Sequence, residues 1–510
     1  MTPAEVAAFL AGAGRPALGR FLARQRWFAA RGRPPGAVDV VDWAPLGEGA
    51  SYLLALVAAD GERYYVPVAA STAAAAPEVD GNARIATAEG VVLYDAHIEA
   101  EFGRLLLAGM ATSTTLAAAR GRFECGTPGP WPGPGLDECK AIAVQPLGAE
   151  QSNTSVRFAR RFIMKSIRRP TAGPNPEFEI THFLATRTSF TQTPGLAGWI
   201  DHVDERGARS TVAILQPWIE HEGDGWAWAL MSLGALAEAL GREPHPALPE
   251  GPEARMRELA GDFTAAIREL GATTGSLHLA LASDRADPDF APEPIASAEA
   301  FAWAAAVEAD VGRTAQLVEA CRGAWPPHAE LPLAAFVEAA PGLAGRAGAL
   351  HLLAETGVHR IRTHGDYHLG QVLRTHGGFA VVDFEGEPAR PLAERRAKHA
   401  ALRDVAGMLR SFSYAAHSAL RQRPADERPA LAPWFDAWER LVGEAFRRGY
   451  LAVVGGSPAR LAPPGDQQVR AVTGVFELEK ALYEIRYELA HRPDWVDIPL
   501  VGLARLASAG

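Results

Sequence analysis

Cysteine is what this chain has least of. Cys125, Cys139 and Cys321 are its only thiols in 510 residues, too few and too scattered for a disulfide framework or a zinc site. Reduced thiols in a cytoplasm are the expectation. Long apolar runs are missing as well: no stretch of about 20 residues could span a bilayer. The opening Met-Thr-Pro-Ala-Glu-Val lacks a basic segment followed by an apolar core. Both absences point to a cytoplasmic protein with no membrane partner. Positive charge is in deficit, with a formal net charge of −10, which argues against a general nucleic-acid binder. Lysine is scarce beside arginine. There is no Gly-x-x-x-x-Gly-Lys-Ser/Thr loop, no glycine-rich loop of the protein-kinase kind, and no repeat period that would make a solenoid.

What remains is an ordinary soluble composition, 48% hydrophobic and 22% charged, long enough for two or three domains with full cores. Residues 4 to about 28 carry one or two amphipathic helices ending at Trp27-Phe28. The arginines beside that pair suggest nucleic acid less than they suggest aromatics packing on the domain's own sheet. Short alternating runs from Val38 to Ala69, with an Asp60-Gly61 hairpin signal, predict antiparallel strands. Residues 71 to 81 read as a loop, and 92 to 110 carry a helical pattern. The breaker-rich stretch from Gly126 to Gly135 predicts an exposed turn.

From Ala141 to Trp218 the pattern predicts a nucleotide-binding lobe. Strands Ala141-Ile-Ala-Val and Thr154-Ser-Val-Arg-Phe flank a polar turn with Gln151, Ser152 and Asn153. A third strand, Arg161-Phe-Ile-Met-Lys165, delivers a lysine placed to reach nucleotide phosphates. That lysine needs an acid from the next helix, which Glu177 and Glu179 open after Pro174 and Pro176; Glu179 is favoured. The alternative for Lys165 is a lysine snorkelling from a strand edge. The strand 211–215, ending at Gln216, reads as a hinge whose backbone meets adenine. Beyond Gly225 the chain is predominantly helical.

The most informative stretch is Arg362-Thr-His-Gly-Asp-Tyr-His-Leu-Gly-Gln371, followed by the apolar run 379–382 and Asp383-Phe-Glu385. A phosphoryl acceptor must be oriented and lose a proton, and Asp366, flanked by His364 and His368, is the candidate base. Magnesium takes oxygen ligands and keeps several waters, so Gln371 and Asp383 suffice to hold it. His364 and His368 are spaced as metal ligands on a helix would be, but Gly365 between them disfavours a helix. Taken together these residues predict an ATP-dependent small-molecule kinase using Mg2+. Asp404 is read as orienting the catalytic loop, with an N-cap as the plain alternative. Glu385 approaches the metal or pairs with Arg390 or Arg395. Lys480, Tyr483, Glu484 and Tyr487 share a helical face at three- and four-residue spacing, fit either for a sugar pocket or for packing.

The chain resembles the maltokinases of actinobacteria, a family related to the aminoglycoside phosphotransferases. The resemblance rests on Arg24-Gln-Arg-Trp-Phe28, Ser152-Asn-Thr-Ser-Val156, Pro174-Asn-Pro176, Gly223-Asp-Gly-Trp226 and His364 to Leu373. It extends through Asp383 to Arg396, Leu402 to Ser411 and Phe476 to Glu484. It implies an α+β, bilobal protein-kinase-like fold with an N-terminal α+β cap subdomain: a cap over 1–97, an intermediate nucleotide-binding lobe over 98–217 and a helical lobe over 218–510. It also implies transfer of the ATP γ-phosphate to the anomeric hydroxyl of maltose, giving maltose 1-phosphate for α-glucan synthesis, and association with enzymes of that pathway. By the resemblance Asp366 is the base, Gln371 and Asp383 are the magnesium ligands, Lys165 is the phosphate contact, and Ser152, Asn153, Thr154 and Ser155 form a phosphate-facing turn. Glucosamine is the alternative acceptor, since related kinases with a similar cap use it. A noncatalytic regulator that binds sugar or nucleotide is the alternative from another class, and the presence of Asp366, Gln371 and Asp383 speaks against it.

Overall fold

The structure is a computed structural model; it describes residues 1–47, 52–72, 74, 79, 81–149, 153–241, 252–388 and 390–508. They form two compact units, one of residues 1–186 with 194–220, the other of residues 187–193 with 221–510. The expected boundary between cap and intermediate lobe, at 97, falls inside the first unit.

The first unit opens with α1 (Pro3–Ala11) and α2 (Arg15–Arg24). Thr2 and Glu5 form a capping box that satisfies orphan amides at the start of α1. The two helices cover a sheet of β1 (Val38–Leu46), β2 (Tyr52–Ala59), β3 (Glu62–Tyr65), β4 (Val68–Thr72), β5 (Arg84–Ala88) and β6 (Val91–Asp95), ordered β1-β2-β4-β6-β5 with β3 on β2. Asp60 and Gly61 join β2 to β3 with φ of 49° and 85°, the left-handed pair that a tight hairpin turn requires. Trp27 and Phe28 are buried against Tyr64, so this aromatic pair is core. The helix expected over 92–110 divides. Its start pairs with β4 as strand β6, a placement its Val-Val-Leu-Tyr run suits, and helix begins only at α3 (Ala100–Ala111).

After α3 come β7 (Thr115–Ala117), β8 (Arg122–Gly126), α4 (Leu136–Ala141), β9 (Val144–Ala149), β10 (Asn153–Phe158), β11 (Phe162–Ile167), α5 (Pro176–Arg187), β12 (Gly198–Val203) and β13 (Arg209–Pro217). The strands make a seven-stranded antiparallel sheet, β7-β8-β12-β13-β11-β10-β9. Ala141 belongs to the end of a helix, and the strand expected there begins at Val144. The segment 126–135 is irregular past Gly126, but Trp131 stacks on Phe162 at 5.6 Å and pins it to the sheet.

The second unit is mostly helical: α6 (Gly225–Gly241), α7 (Pro252–Leu259), α8 (Gly261–Leu281), α9 (Ser297–Ala320), α10 (Glu330–Gly345), α11 (His351–Glu355), α12 (Leu392–Arg396), α13 (Leu402–Arg421), α14 (Arg428–Val454), α15 (Asp466–His491) and α16 (Asp497–Ser508). Short strands β14 (Glu293–Pro294), β15 (His359–Ile361) and β18 (His399–Ala400) form one small sheet; β16 (Val372–Thr375) and β17 (Gly378–Val381) form a hairpin. None of the described helices is long and apolar enough to cross a membrane.

Candidate active site

Within the second unit the loop from Arg362 to Gln371 is held from behind by α13. Asp404, in the first turn of that helix, accepts hydrogen bonds from the backbone N–H of His364 (2.7 Å) and Gly365 (3.0 Å), and lies 3.1 Å from His278 Nε2. Burial pushes the Asp404 carboxyl up, but the His278 contact, the nearby imidazoles and the Gly365 amide outweigh it and leave its pKa below the ordinary value. The plain N-cap reading gives way: Ala401 is the N-cap, and the carboxylate serves the loop. Gly407, one turn on, lets the helix approach so closely that a Cβ there would meet the Tyr367 carbonyl oxygen at 2.6 Å. Ser411 Oγ accepts from the Leu369 N–H at 3.2 Å.

Both ring nitrogens of His364 are engaged. Nε2 lies 3.0 Å from the Val382 carbonyl oxygen and Nδ1 accepts from the Asp366 N–H at 3.4 Å. With Nδ1 accepting, Nε2 is the side that donates, which links the Asp366 loop to the residue before Asp383. His368 Nδ1 accepts from the Gly370 N–H at 3.0 Å, and its Nε2 lies 4.0 Å from Asp366 Oδ2. Burial lowers its pKa. The two histidines thus orient the loop and are not arranged as a metal pair. Among the described residues no group of three or more His, Cys, Asp or Glu side chains is placed to hold a metal.

The β16–β17 register sets Val372 opposite Val381, and Val382 N–H donates to the Gln371 carbonyl at 3.0 Å. The hairpin therefore brings the Gln371 amide to Asp383, with Nε2 donating to Oδ2 at 2.9 Å. Asp383 has φ 71°, a left-handed conformation that Asp tolerates better than most residues. Carboxylate and carboxamide oxygens side by side are the hard donors that magnesium takes. Glu385 is buried, and Arg395 donates to its backbone carbonyl at 3.1 Å.

A small cavity opens beside Asp366. Lys480 and Tyr483 on α15 line it, and Lys480 Nζ lies 3.2 Å from Asp366 Oδ1. Burial pulls the Lys480 ammonium down, but Asp366, Glu387 and Glu484 outweigh that and hold its pKa above the usual lysine value. The other two residues of the expected face are elsewhere. Glu484 is buried against Arg410 at 2.7 Å, and Tyr487 is outside the lining, stacked on His491 at 4.5 Å. Sequence reasoning missed Glu387, Arg390, Arg403, Phe476 and Glu479, which complete the wall. A signal existed, since all five fall in the segments that carry the resemblance. Composition held a second: Lys140, Lys165, Lys398 and Lys480 are the chain's lysines, and two of them stand at candidate sites.

In the first unit Lys165 is 9% exposed on β11 and its Nζ is 3.6 Å from Glu177 Oε1. The acid that buries itself completely here is Glu177 (0% exposed), where Glu179 was expected. Gln216, expected at a hinge, sits inside β13 and donates from Nε2 to Glu177 Oε1 at 2.9 Å, holding the acid in place. The expected phosphate-facing turn is different too. Ser152 lies outside the described residues, while Asn153, Thr154 and Ser155 are buried in strand β10. Thr154 Oγ1 accepts from Arg168 Nε at 2.8 Å, and Ser155 pairs across the ladder with Lys165.

Comparison with known proteins adds to this geometry. The family model described as the maltokinase N-terminal cap domain matches residues 21–98. A glucosamine kinase of Streptacidiphilus jiangxiensis is 26% identical over 70% of this chain and 72% of its own length. One from Mycolicibacterium smegmatis is 27% identical over 72% of this chain and 80% of its own length. A solved glucosamine kinase in complex with glucosamine, ADP and inorganic phosphate superposes with a TM-score of 0.64 at 22% identity, covering 96% of this chain and 98% of that one. The chain is thus maltokinase-like over residues 21–98, where it matches the maltokinase N-terminal cap model, and along nearly its whole length it has the fold that glucosamine kinase adopts.

Proposed function

We propose that the protein is an ATP-dependent sugar kinase that phosphorylates maltose at its anomeric hydroxyl. The observation that carries this reading is that, within one unit, His364 ties the Asp366 loop to the segment of the Gln371–Asp383 pair, while Asp366 itself lines a polar cavity with an aromatic side chain. Asp366 takes the proton from the acceptor hydroxyl as that oxygen attacks the γ-phosphorus; the bond from phosphorus to the bridging oxygen breaks and ADP departs. Gln371 and Asp383 would hold Mg2+, which neutralises charge on the phosphates. Lys165, kept in place by Glu177 and Gln216, contacts nucleotide phosphate. The relatives named glucosamine kinase, and the solved one with ADP bound, support sugar phosphorylation from ATP.

A neutral acceptor is favoured over an amino sugar by charge. The carboxylates lining the cavity already have cationic or backbone partners: Asp366 has Lys480, Glu387 has Arg390 at 2.8 Å, Glu479 has Arg403 at 2.7 Å, and Asp404 has His278 with two loop amides. An ammonium group would have to displace a cation. Glucosamine is the second reading, supported by the names of the relatives. Coupled measurement of ADP release with maltose and with glucosamine decides between them. Faster turnover with maltose is expected; turnover with glucosamine alone would transfer the assignment, and none with any sugar would favour a noncatalytic binding protein.

A further inference from the structure

The second unit has another, broader cavity, open to solvent and walled by α14, α15, α16 and the turn after α10. It uses different residues of α15 (Arg470, Thr473, Glu477) from those that face the acceptor cavity (Phe476, Glu479, Lys480). Its chemistry is cationic. Arg346, Arg440, Arg447, Arg448, Arg470 and Arg505 line it against the carboxylates of Glu439, Glu444 and Glu477. Glu444 alone serves three guanidiniums, those of Arg447, Arg448 (2.5 Å) and Arg470 (2.7 Å). Asp466 shares Arg447 and Arg470, while Arg505 is held by Asp436 and Glu439. The Arg346 side chain has no hydrogen-bond or ion-pair partner among the described residues.

Two further groups want a partner. Thr473 is 1% exposed, lines this cavity, and its hydroxyl makes no hydrogen bond; a buried polar atom left so is costly unless something else satisfies it. Glu477 is the second. Burial, with Glu439 and Glu484 adding to it against Arg410, pushes its carboxyl up to about 7, so that near neutral pH it can donate as well as accept. Guanidiniums bind phosphate oxygens in bidentate fashion, and the hydroxyl and carboxyl suit the polar remainder of a small metabolite.

We propose that this cavity is a second binding site, for a small phosphorylated metabolite, independent of the acceptor cavity. The adjacent placement of Phe476 and Glu477 on α15 gives such a ligand a route to the acceptor wall. Isothermal titration of the full chain with glucose 6-phosphate, inorganic phosphate and glucose tests the site without reference to turnover, so its failure says nothing of the kinase reading. Glucose 6-phosphate is expected to bind more tightly than either fragment, and Arg346→Glu, a half-buried position, is expected to weaken it roughly tenfold or more. Thr473→Val keeps the side-chain shape and is expected to weaken it severalfold, with both variants melting as the parent does. No binding at about 10 mM, equal binding of inorganic phosphate, or undiminished binding in both variants would overturn the proposal. Should Arg346→Glu fail to fold, Thr473→Val alone decides.

Discussion

Lys480 and Asp366 stand 114 residues apart in sequence and 3.2 Å apart in space, Nζ to Oδ1. The contact sets the proposed base against the wall of the proposed acceptor cavity and fixes one of its two carboxylate oxygens. Removing the ammonium by Lys480→Met leaves that oxygen unheld, and kcat/KM for the sugar is expected to fall about ten- to a hundredfold, with the KM for ATP little changed. Steady-state kinetics with each substrate varied in turn checks this; a sugar kcat/KM equal to the parent's would remove Lys480 from the site.

Asp404 accepts from two loop amides and contacts a buried imidazole, so Asp404→Ala strands three polar groups at once. A stability loss of about 3 kcal/mol is expected, read from denaturant melts. Its depressed pKa also has a sign. The stabilisation is fully present above the unfolded aspartate value of about 3.9 and is lost as pH falls through the lower folded value. The gap between parent and variant should therefore narrow only in strong acid.

Gln371 and Asp383 are held together by one hydrogen bond and by the hairpin register. Asp383→Asn exchanges an ionised ligand for a neutral one, and Gln371→Ala removes a donor. Each is expected to raise the Mg2+ concentration for half-maximal activity, Asp383→Asn more, by roughly tenfold or greater. A magnesium titration of turnover reads the effect, and unchanged half-saturation in both variants would place the metal elsewhere.

Glu477 offers a test of pH dependence in the opposite direction. Its folded pKa is raised, so the folded protein keeps a proton that the unfolded chain has released, and stability is lost as pH rises from about 4.5 to about 7. Glu477→Gln abolishes that loss. Thermal melts at pH 5 and pH 8 should show the variant gaining on the parent at the higher pH, and a constant difference would contradict the burial argument.

How much of this was legible in the letters depends on how local each relationship is. Asp366, Gln371 and Asp383 lie within one loop and one hairpin, where spacing and a four-residue strand determine what meets what. Helical phase was not so accessible. Glu177 and Glu179 both open α5, yet at about 100° per residue they point to different sides, and only tertiary contacts, with Gln216 of β13 holding Glu177, decide which acid Lys165 meets. Lys480 and Glu484 lie one turn apart on α15, but Glu484 is drawn away by Arg410 from α13, a partner 74 positions distant. The resemblance put Thr154 in a phosphate-facing turn, but its hydroxyl is taken by Arg168, just past the end of the neighbouring strand β11. Glu387, Arg390, Arg403 and Glu479 wall the cavity from three separate segments, and no periodicity joins them. The division of 92–110 into strand and helix was lost for a simpler reason: an apolar run paired in a sheet has the same composition as a buried helical turn.

Phosphorus NMR of the reaction mixture tests directly whether Asp366 takes a proton from a sugar hydroxyl as phosphate is transferred from ATP. The parent chain and Asp366→Asn would each be incubated with ATP, Mg2+ and maltose. The expected result is a maltose 1-phosphate signal from the parent and, in the variant, a rate lower by about a hundredfold to ten-thousandfold, while fluorescence titration shows nucleotide binding intact. An undiminished signal from the variant, or no phosphorylated sugar from the parent with maltose or glucosamine, would contradict it.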